Sequence, residues 1–467
     1  MKKLSRRNFL LSSTLPLFPY IYKSTNKQSN INILLIISDD LNNYTSYLNC
    51  EPELLTPNIH SLQKHSITFE NAYCQYPLCH PSRTSMLTGL HPFSTGVYMS
   101  EQINSAELPI LPQYLKETHY LTAGIGKVFH PKYNIENVWD FNFEIYDNLY
   151  NFIYKKDDPL SAQNFCYGPV DISLEDTNDY KIAQQAVDFI KSNKNNPWFL
   201  AIGFHTPHTP LFAPREFFKK IPKNIVKKPI VPDDDLNDIP EAGIKLITKY
   251  DKANIHQLVL ERNIWEELIY AYLVRIAFLD ELIGSILKNL EESKIFNNTC
   301  ILLCGDNGWH LGEKKRWQKF TLWQEANKVP LILHLPDGYK GGLTLKEPAG
   351  LVDIFPTITD LLSLNKPEKL EGKSLLPSIK KEVIENPYVV ISQIENNNFA
   401  FRTTRYSYII YYDGSEELYD YQSDPGEYHN IAMLEESQEI KRNIISLIPD
   451  NQRKKLASII KKDIFQP

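Results

Sequence analysis

Several short runs carry residues whose types and spacing could do chemistry. Cys79-His80-Pro81-Ser82-Arg83 precedes an apolar segment that ends in Thr88-Gly89. A proline just after the cysteine suits a first helical turn, and Ser82 and Thr84 suit capping. A helix start offers backbone N–H groups and a dipole to an anion, and Arg83 adds a fixed cation within a turn of the sulfur. Cys79 in such a place either has a chemical task or is buried filler. Asp39 and Asp40 end an apolar run, and adjacent carboxylates repel unless a cation sits between them; the bland alternative is a solvated turn or a helix cap. Asp306-Asn307 follows a second apolar run and supplies further oxygen ligands suited to calcium. His205-Thr206-Pro207-His208-Thr209-Pro210 places two histidines in a proline-stiffened loop, an unusual setting for core filler. Lys127 and His130, read alone, could be surface residues.

Cys79, Pro81, Ser82, Arg83, Thr88 and Gly89 together match the signature of the type I sulfatases, which the chain resembles over most of residues 30–435. The resemblance implies that Cys79 is oxidised after translation to Cα-formylglycine, whose hydrate supplies an oxygen nucleophile. It implies one calcium ion held by Asp39, Asp40, Asp306, Asn307 and the modified residue 79, beside Arg83. Gly-Lys-Val-Phe-His-Pro at 126–131 resembles the iduronate-2-sulfatase-like branch, giving Lys127 the task of steadying anionic oxygens and His130 that of a regenerating base. The second histidine of the proline loop, His208, and Lys319, which follows Gly312-Glu313 at the family spacing, would bind the sulfate and protonate the leaving alcohol; His205 is expected to be structural. Asn307 departs from that branch, which shows histidine there. The resemblance also implies a maturation partner, either a formylglycine-generating or an anaerobic sulfatase-maturating enzyme. The implied substrate is a sulfated oligo- or polysaccharide: a glycosaminoglycan or an algal polysaccharide such as ulvan, with uronate 2-O-sulfate one option. The alternatives are a phosphonate monoester or phosphodiester hydrolase of the same superfamily, and a non-catalytic exported glycan-binding protein.

These groups must be positioned by a scaffold, and the pattern describes one. Continuous apolar runs at 32–37, 121–126, 198–204, 299–305 and 329–334 read as strands buried on both faces of a mostly parallel sheet. They alternate with helical periodicity at 57–64, 111–116, 179–191, from 264 onward, and at 353–362. Polar clusters at successive strand ends point to one pocket along the carboxyl edge. The fold class expected is α/β, an alkaline-phosphatase-like sandwich with a large, mostly parallel central sheet and a smaller C-terminal α+β subdomain. The catalytic domain is expected over 30–365 and the subdomain, with a small antiparallel sheet and terminal helix, over 366–467. Residues 365–386, rich in Lys, Pro and Ser, read as a linker. Residues 215–263 read as an irregular insertion near the pocket mouth, where substrate selectivity would reside. Its Asp233-Asp234-Asp235 triplet reads as a solvated run, and Lys314, Lys315 and Arg316 read as rim charge. Cys300 and Cys304 share a strand face as inert thiols.

A chain of 467 residues that is 42% apolar can bury a large core. Its net charge of −6 gives no sign of a nucleic-acid partner, so an anionic substrate needs a local basic pocket. Six cysteines are too few for a disulfide scaffold, though one or two bridges are compatible with the sequence. The basic head with Ser5-Arg6-Arg7, residues 1–29, resembles a twin-arginine export signal and implies a periplasmic or secreted bacterial protein. No stretch is long and apolar enough to span a bilayer.

Overall fold

Ile33 to Ile37 have no solvent exposure, because the strand that carries them, β1 (Asn32–Asp39), is covered on both faces. Leu34 and Ile36 enter one hydrophobic core and Ile33, Leu35 and Ile37 the other, as strand alternation requires. Truncating any one of them to alanine would cost about 2–5 kcal/mol. The computed structural model describes residues 30–130, 133, 135–152, 158–251, 253–336, 339, 341–380, 388–460 and 465. The head read as an export signal lies outside them. No helix among the described residues is long and apolar enough to cross a membrane.

β1 lies in an eight-stranded sheet. In spatial order the strands are Leu343–Leu345, Ile67–Phe69, Leu331–His334, Thr299–Gly305, Asn32–Asp39, Trp198–Pro207, Leu121–Gly126 and Phe141–Phe143. Five of the seven pairings are parallel; the two antiparallel ones both involve Leu331–His334. Three of these strands supply the site beside β1: β2 (Leu121–Gly126), β3 (Trp198–Pro207) and β4 (Thr299–Gly305). One face is covered by α2 (Asn178–Asn193) and the 28-residue α3 (Trp265–Glu292), the other by α1 (Cys79–Thr88) and Ile354–Leu361. The α/β sandwich expected from the apolar runs is the fold observed.

A separate antiparallel sheet of four strands, Val390–Ile394, Asn398–Arg402, Tyr406–Ile410 and Glu416–Asp420, lies toward the C-terminus. One face packs on the helices Ser437–Ser446 and Asp450–Ile460. The other meets Tyr76, Trp323 and the Glu241–Tyr250 helix. Within the stretch read as a linker, Leu370, Leu375 and Leu376 are buried in the catalytic-domain core. The 215–263 insertion is more regular than its composition suggests, with helices at Arg215–Lys220, Glu241–Tyr250 and Ile255–Glu261. Its apolar residues are spread thinly among lysines and prolines, which hid their periodicity. All six cysteines are free, and Cys300 and Cys304 sit together in one core.

Candidate active site

α1 begins at Cys79, as the proline spacing predicts, but Leu78 is its N-cap and no side chain caps it. Ser82 and Thr84 serve elsewhere: Ser82 Oγ donates to the Asp306 carbonyl at 2.5 Å, and Thr84 Oγ1 to the His80 carbonyl. Every residue of α1 is buried. The helix stops at Gly89, whose φ of +66° closes the cap with an N–H bond to the Ser85 carbonyl. A Cβ there would also stand 2.7 Å from Leu370, so the terminal glycine of the signature has a steric reason. Cys79 is 6% exposed; burial pushes its thiol up, against the pull of Lys127 and Lys319.

Parallel registration brings the ends of β1, β3 and β4 to one level: Ile37 faces both Gly203 and Cys304. Beyond it the β1–β3 register slips, Ser38 opposing Phe204 and Asp39 opposing Pro207. The slip, held by Ser38 Oγ on the Thr206 carbonyl at 2.7 Å, re-aims the histidine loop as bulges do. Asp40 turns into the left-handed region at φ +61°, tolerated by aspartate. Its N–H donates to Asp306 Oδ1 at 2.9 Å, and its carbonyl accepts from Tyr272 at 2.7 Å. Asn307 Nδ2 donates to Asp40 Oδ1 at 2.8 Å. Thus Asp39, Asp40, Asp306 and Asn307, four of the five expected ligands, converge and are all buried.

Three cations face these three carboxylates. Arg83 Nε pairs with Asp306 Oδ2 at 2.7 Å while its NH1 donates to the Lys127 carbonyl. Lys127 Nζ pairs with Asp39 Oδ2, and Lys319 Nζ with Asp40 Oδ1 at 2.5 Å. Lys127 crosses hard against β3: a Cβ on Gly203 would fall 1.8 Å from the Lys127 carbonyl oxygen, so only glycine fits. Burial alone would raise the Asp39 carboxyl, but Lys127, His208 and Arg83 hold it well below the usual range. Asp306 is pushed up to about 6 by burial, Arg83 opposing and Asp39 and Asp40 repelling. Burial likewise raises Asp40, despite Lys319.

The two histidines of the proline loop have different surroundings. His205 is held by Asp179, through its N–H at 3.0 Å and Nδ1 at 3.1 Å. His208 points inward, Nε2 lying 3.6 Å from Asp40 Oδ2. Its Nδ1 sits 2.5 Å from the Thr209 carbonyl, so that nitrogen carries the proton, with the Tyr150 hydroxyl at 3.1 Å. Burial pushes both His208 and His130 down to about 3; Lys127 repulsion adds to the effect at His130. The His130 Nδ1 is buried without a hydrogen-bond partner. Its ring lies against His80, 6.0 Å between centroids, which itself stacks on Tyr133 at 4.0 Å.

The residues fit a hard cation. Asp39 Oδ1, Asp40 Oδ2 and Asn307 Oδ1 are buried oxygens with no hydrogen-bond partner, and a set of carboxylate and amide oxygens suits calcium. Cys79 as a buried thiol held un-ionised is a poor nucleophile.

Two charge assignments change. Lys314 is buried, pairing with Asp235 Oδ1 at 2.6 Å and donating to the Glu427 carbonyl; Asp235 is therefore an interior residue and not part of a solvated run. Arg316 is buried against Asp251 at 3.0 Å. Both were misplaced because charge runs are normally solvated, and only tertiary pairing puts them inside. Tyr150, Tyr272 and Arg275 escaped the sequence reading. Arg275 braces the site by donating to the carbonyls of Phe212 (2.9 Å) and His208 (3.3 Å). A lone arginine inside an apolar helix was the signal that could have found it.

Comparisons with known proteins identify the family and the fold. The sulfatase family model matches residues 31–364, and the model for the C-terminal region of N-sulphoglucosamine sulphohydrolase matches 312–454. A sulfatase of Formosa agariphila is 33% identical over 427 residues, covering 86% of this chain and 83% of its own length. Human iduronate 2-sulfatase is 30% identical, covering 77% and 76%. A solved phosphonate monoester hydrolase from Silicibacter pomeroyi shares the fold at TM-score 0.72 and 19% identity, over 90% of this chain and 95% of its own. The chain belongs to the sulfatase family and is a sulfuric ester hydrolase.

Proposed function

We propose that this enzyme removes sulfate from a sulfated glycan, a glycosaminoglycan or an algal polysaccharide such as ulvan, with calcium and with Cys79 converted to formylglycine. The observation that carries the reading is the charge arrangement around Cys79. Arg83, Lys127 and Lys319 face Asp39, Asp40 and Asp306, three cations against three carboxylates. The sum is zero, and a divalent ion leaves +2 for an anionic ester. When present, formylglycine supplies an oxygen nucleophile and calcium supplies charge neutralisation; Asp39, Asp40, Asp306 and Asn307 would hold the ion.

The chain's own residues supply the rest. Lys127 and Lys319 are positioned to neutralise sulfuryl oxygens, and their burial strengthens that attraction. His208 keeps Nδ1–H on the Thr209 carbonyl and turns Nε2 toward the site, where an anionic ester favours the proton that a leaving alcohol takes up. His130, neutral and with an unpartnered Nδ1, is suited to accept a proton at turnover. The substrate class is supported by human iduronate 2-sulfatase, whose name specifies a sulfated uronate. The Ser5-Arg6-Arg7 head supports export, to the periplasm or beyond, after maturation by a formylglycine-generating or anaerobic sulfatase-maturating enzyme.

Mass spectrometry of the Cys79 peptide from the native host should find the aldehyde; an unmodified thiol overturns the formylglycine assignment. Parallel kinetics on sulfated disaccharides and an aryl phosphodiester should favour the sulfate. A larger kcat/KM on the diester would instead support the phosphonate monoester or phosphodiester hydrolase reading.

A further inference from the structure

Tyr150 lies in the short helical turn Asn148–Phe152 beside the site. Its neighbours in that turn pack inward: Leu149 is buried with Val170 and Phe212, and Phe152 rests against the same small cluster. Tyr150 stays out of that cluster, 38% exposed, with its hydroxyl 3.1 Å from His208 Nδ1. The site is open on this side, since the His208 side chain is 22% exposed against 9% for Lys127 and 6% for Lys319.

The hydrogen bonds here leave one proton over. Nδ1 of His208 has a single hydrogen, and the Thr209 carbonyl at 2.5 Å takes it. The Tyr150 oxygen can then only accept a share of that hydrogen, and its own O–H points elsewhere. Among the described residues no other hydrogen bond forms to that hydroxyl. Burial, with Asp39, Asp147 and Asp40 nearby, raises the phenol above its ordinary value, so it keeps its proton.

One anchor sets Tyr150 and His208 together. In the first turn of α2, Asn178 holds the Tyr150 segment through the Asn148 side chain at 2.9 Å and the Tyr146 carbonyl at 2.5 Å. The next residue, Asp179, holds the histidine loop at the His205 and Thr206 N–H groups. Asp147 joins the two, accepting from the Leu149 N–H at 2.9 Å and from Arg275 at 3.3 Å, while Arg275 donates to the His208 carbonyl. The hydroxyl is therefore a donor fixed in place before any ligand arrives.

We propose that Tyr150 is a substrate-binding residue whose O–H donates to an oxygen on the carbon next to the one that bears the scissile sulfate. The assignment rests on the glycan reading given above, because sugars carry oxygens on adjoining carbons. His208 turns Nε2 toward the leaving oxygen, and the hydroxyl lies beside the same ring, so the two meet neighbouring oxygens of one sugar. A prepositioned donor adds little ordering cost to binding, and a substrate without the acceptor leaves it unpaired.

The test compares wild-type and Tyr150→Phe enzymes on para-nitrophenyl sulfate, whose adjoining ring carbons bear only hydrogen, and on a sulfated disaccharide chosen from glycosaminoglycan and ulvan fragments. Tyr150→Phe keeps the ring and leaves Nδ1–H on the Thr209 carbonyl. The ratio of kcat/KM values, disaccharide over aryl sulfate, should fall about threefold to tenfold, through KM on the disaccharide because the contacted oxygen does not react. The pH profile of kcat should keep its shape. An unchanged ratio, or an unchanged KM on the disaccharide, overturns the contact while the glycan reading stands. An equal fall on both substrates with a shifted pH profile also overturns it, making Tyr150 a support for His208. Wild-type enzyme that cleaves the aryl sulfate and none of the fragments overturns the glycan reading and this assignment together.

Discussion

Two buried carboxylates, Asp40 and Glu417, are satisfied in opposite ways. Glu417, in the C-terminal sheet, is closed by neutral donors: Trp323 Nε1 at 2.8 Å, Tyr411 at 2.5 Å and Tyr419 at 2.6 Å. Nearby Lys314 pairs with Asp235 Oδ1, leaves Asp235 Oδ2 without a hydrogen-bond partner, and lies over the Trp323 and Tyr419 rings. Asp40 instead meets a lysine and an amide on one oxygen, while its Oδ2 has no hydrogen-bond partner. Glu417 thus has both oxygens filled, whereas Asp40, crowded among cations at the strand ends, keeps an open side. Burial alone does not distinguish them, since both are fully buried.

Predictions follow from breaking the Lys314–Asp235 pair or stripping an oxygen from the open side beside Asp40. Lys314→Met leaves Asp235 charged and unpaired, and should cost about 3–5 kcal/mol in a denaturation experiment. Turnover per folded enzyme should not change; a selective fall in kcat would erase the distinction between the two clusters. Asn307→Ala removes one oxygen from the open side and should weaken calcium binding by about 10–100-fold. Calorimetric titration measures this, and added calcium should recover activity; undiminished affinity would remove Asn307 from the ligand set.

The smallest effect per pH unit concerns His91, buried against Phe93. Burial pushes its imidazole down to about 4. Its folded pKa is depressed, so its contribution to stability is present above the unfolded value of about 6.5 and is lost as pH falls toward 4. The loss should be about 1.4 kcal/mol per pH unit within that window. His91→Asn should lack that slope, so the difference in denaturation free energy between the two proteins should change with pH between about 6.5 and 4. Parallel pH curves for both would show that burial does not set this histidine's behaviour.

Much of the scaffold was legible because a strand buried on both faces must be continuously apolar. The runs at 32–37, 198–204 and 299–305 therefore announced the centre of the sheet, and the polar residues that ended them announced its working edge. Asp39, Asp40, Asp306 and His208 were found in this way, and the signature at Cys79 added the helix that faces them. The insertion was less legible. Its helices bury only one side, and lysines and prolines interrupt a short period, so Glu241–Tyr250 could not be separated from loop. Lys314 and Asp235 were misread for a related reason: each is polar in a polar neighbourhood, and the partner that buries it is 79 residues away.

What the sequence determined by itself was the chemical inventory and its order along the chain: a cysteine in a helix start, oxygen donors at strand ends, and histidines and lysines after them. Local rules of alternation, glycine geometry and proline placement suffice for that. What only the tertiary structure decided was which polar atoms are closed and which are left open. Asp40 Oδ2 has no hydrogen-bond partner while every Glu417 oxygen is taken, and Phe320 meets Tyr250 across 70 positions of chain. Those outcomes depend on how distant segments cross at a few ångströms, a distance to which hydrogen bonding and charge are acutely sensitive and which no local pattern encodes.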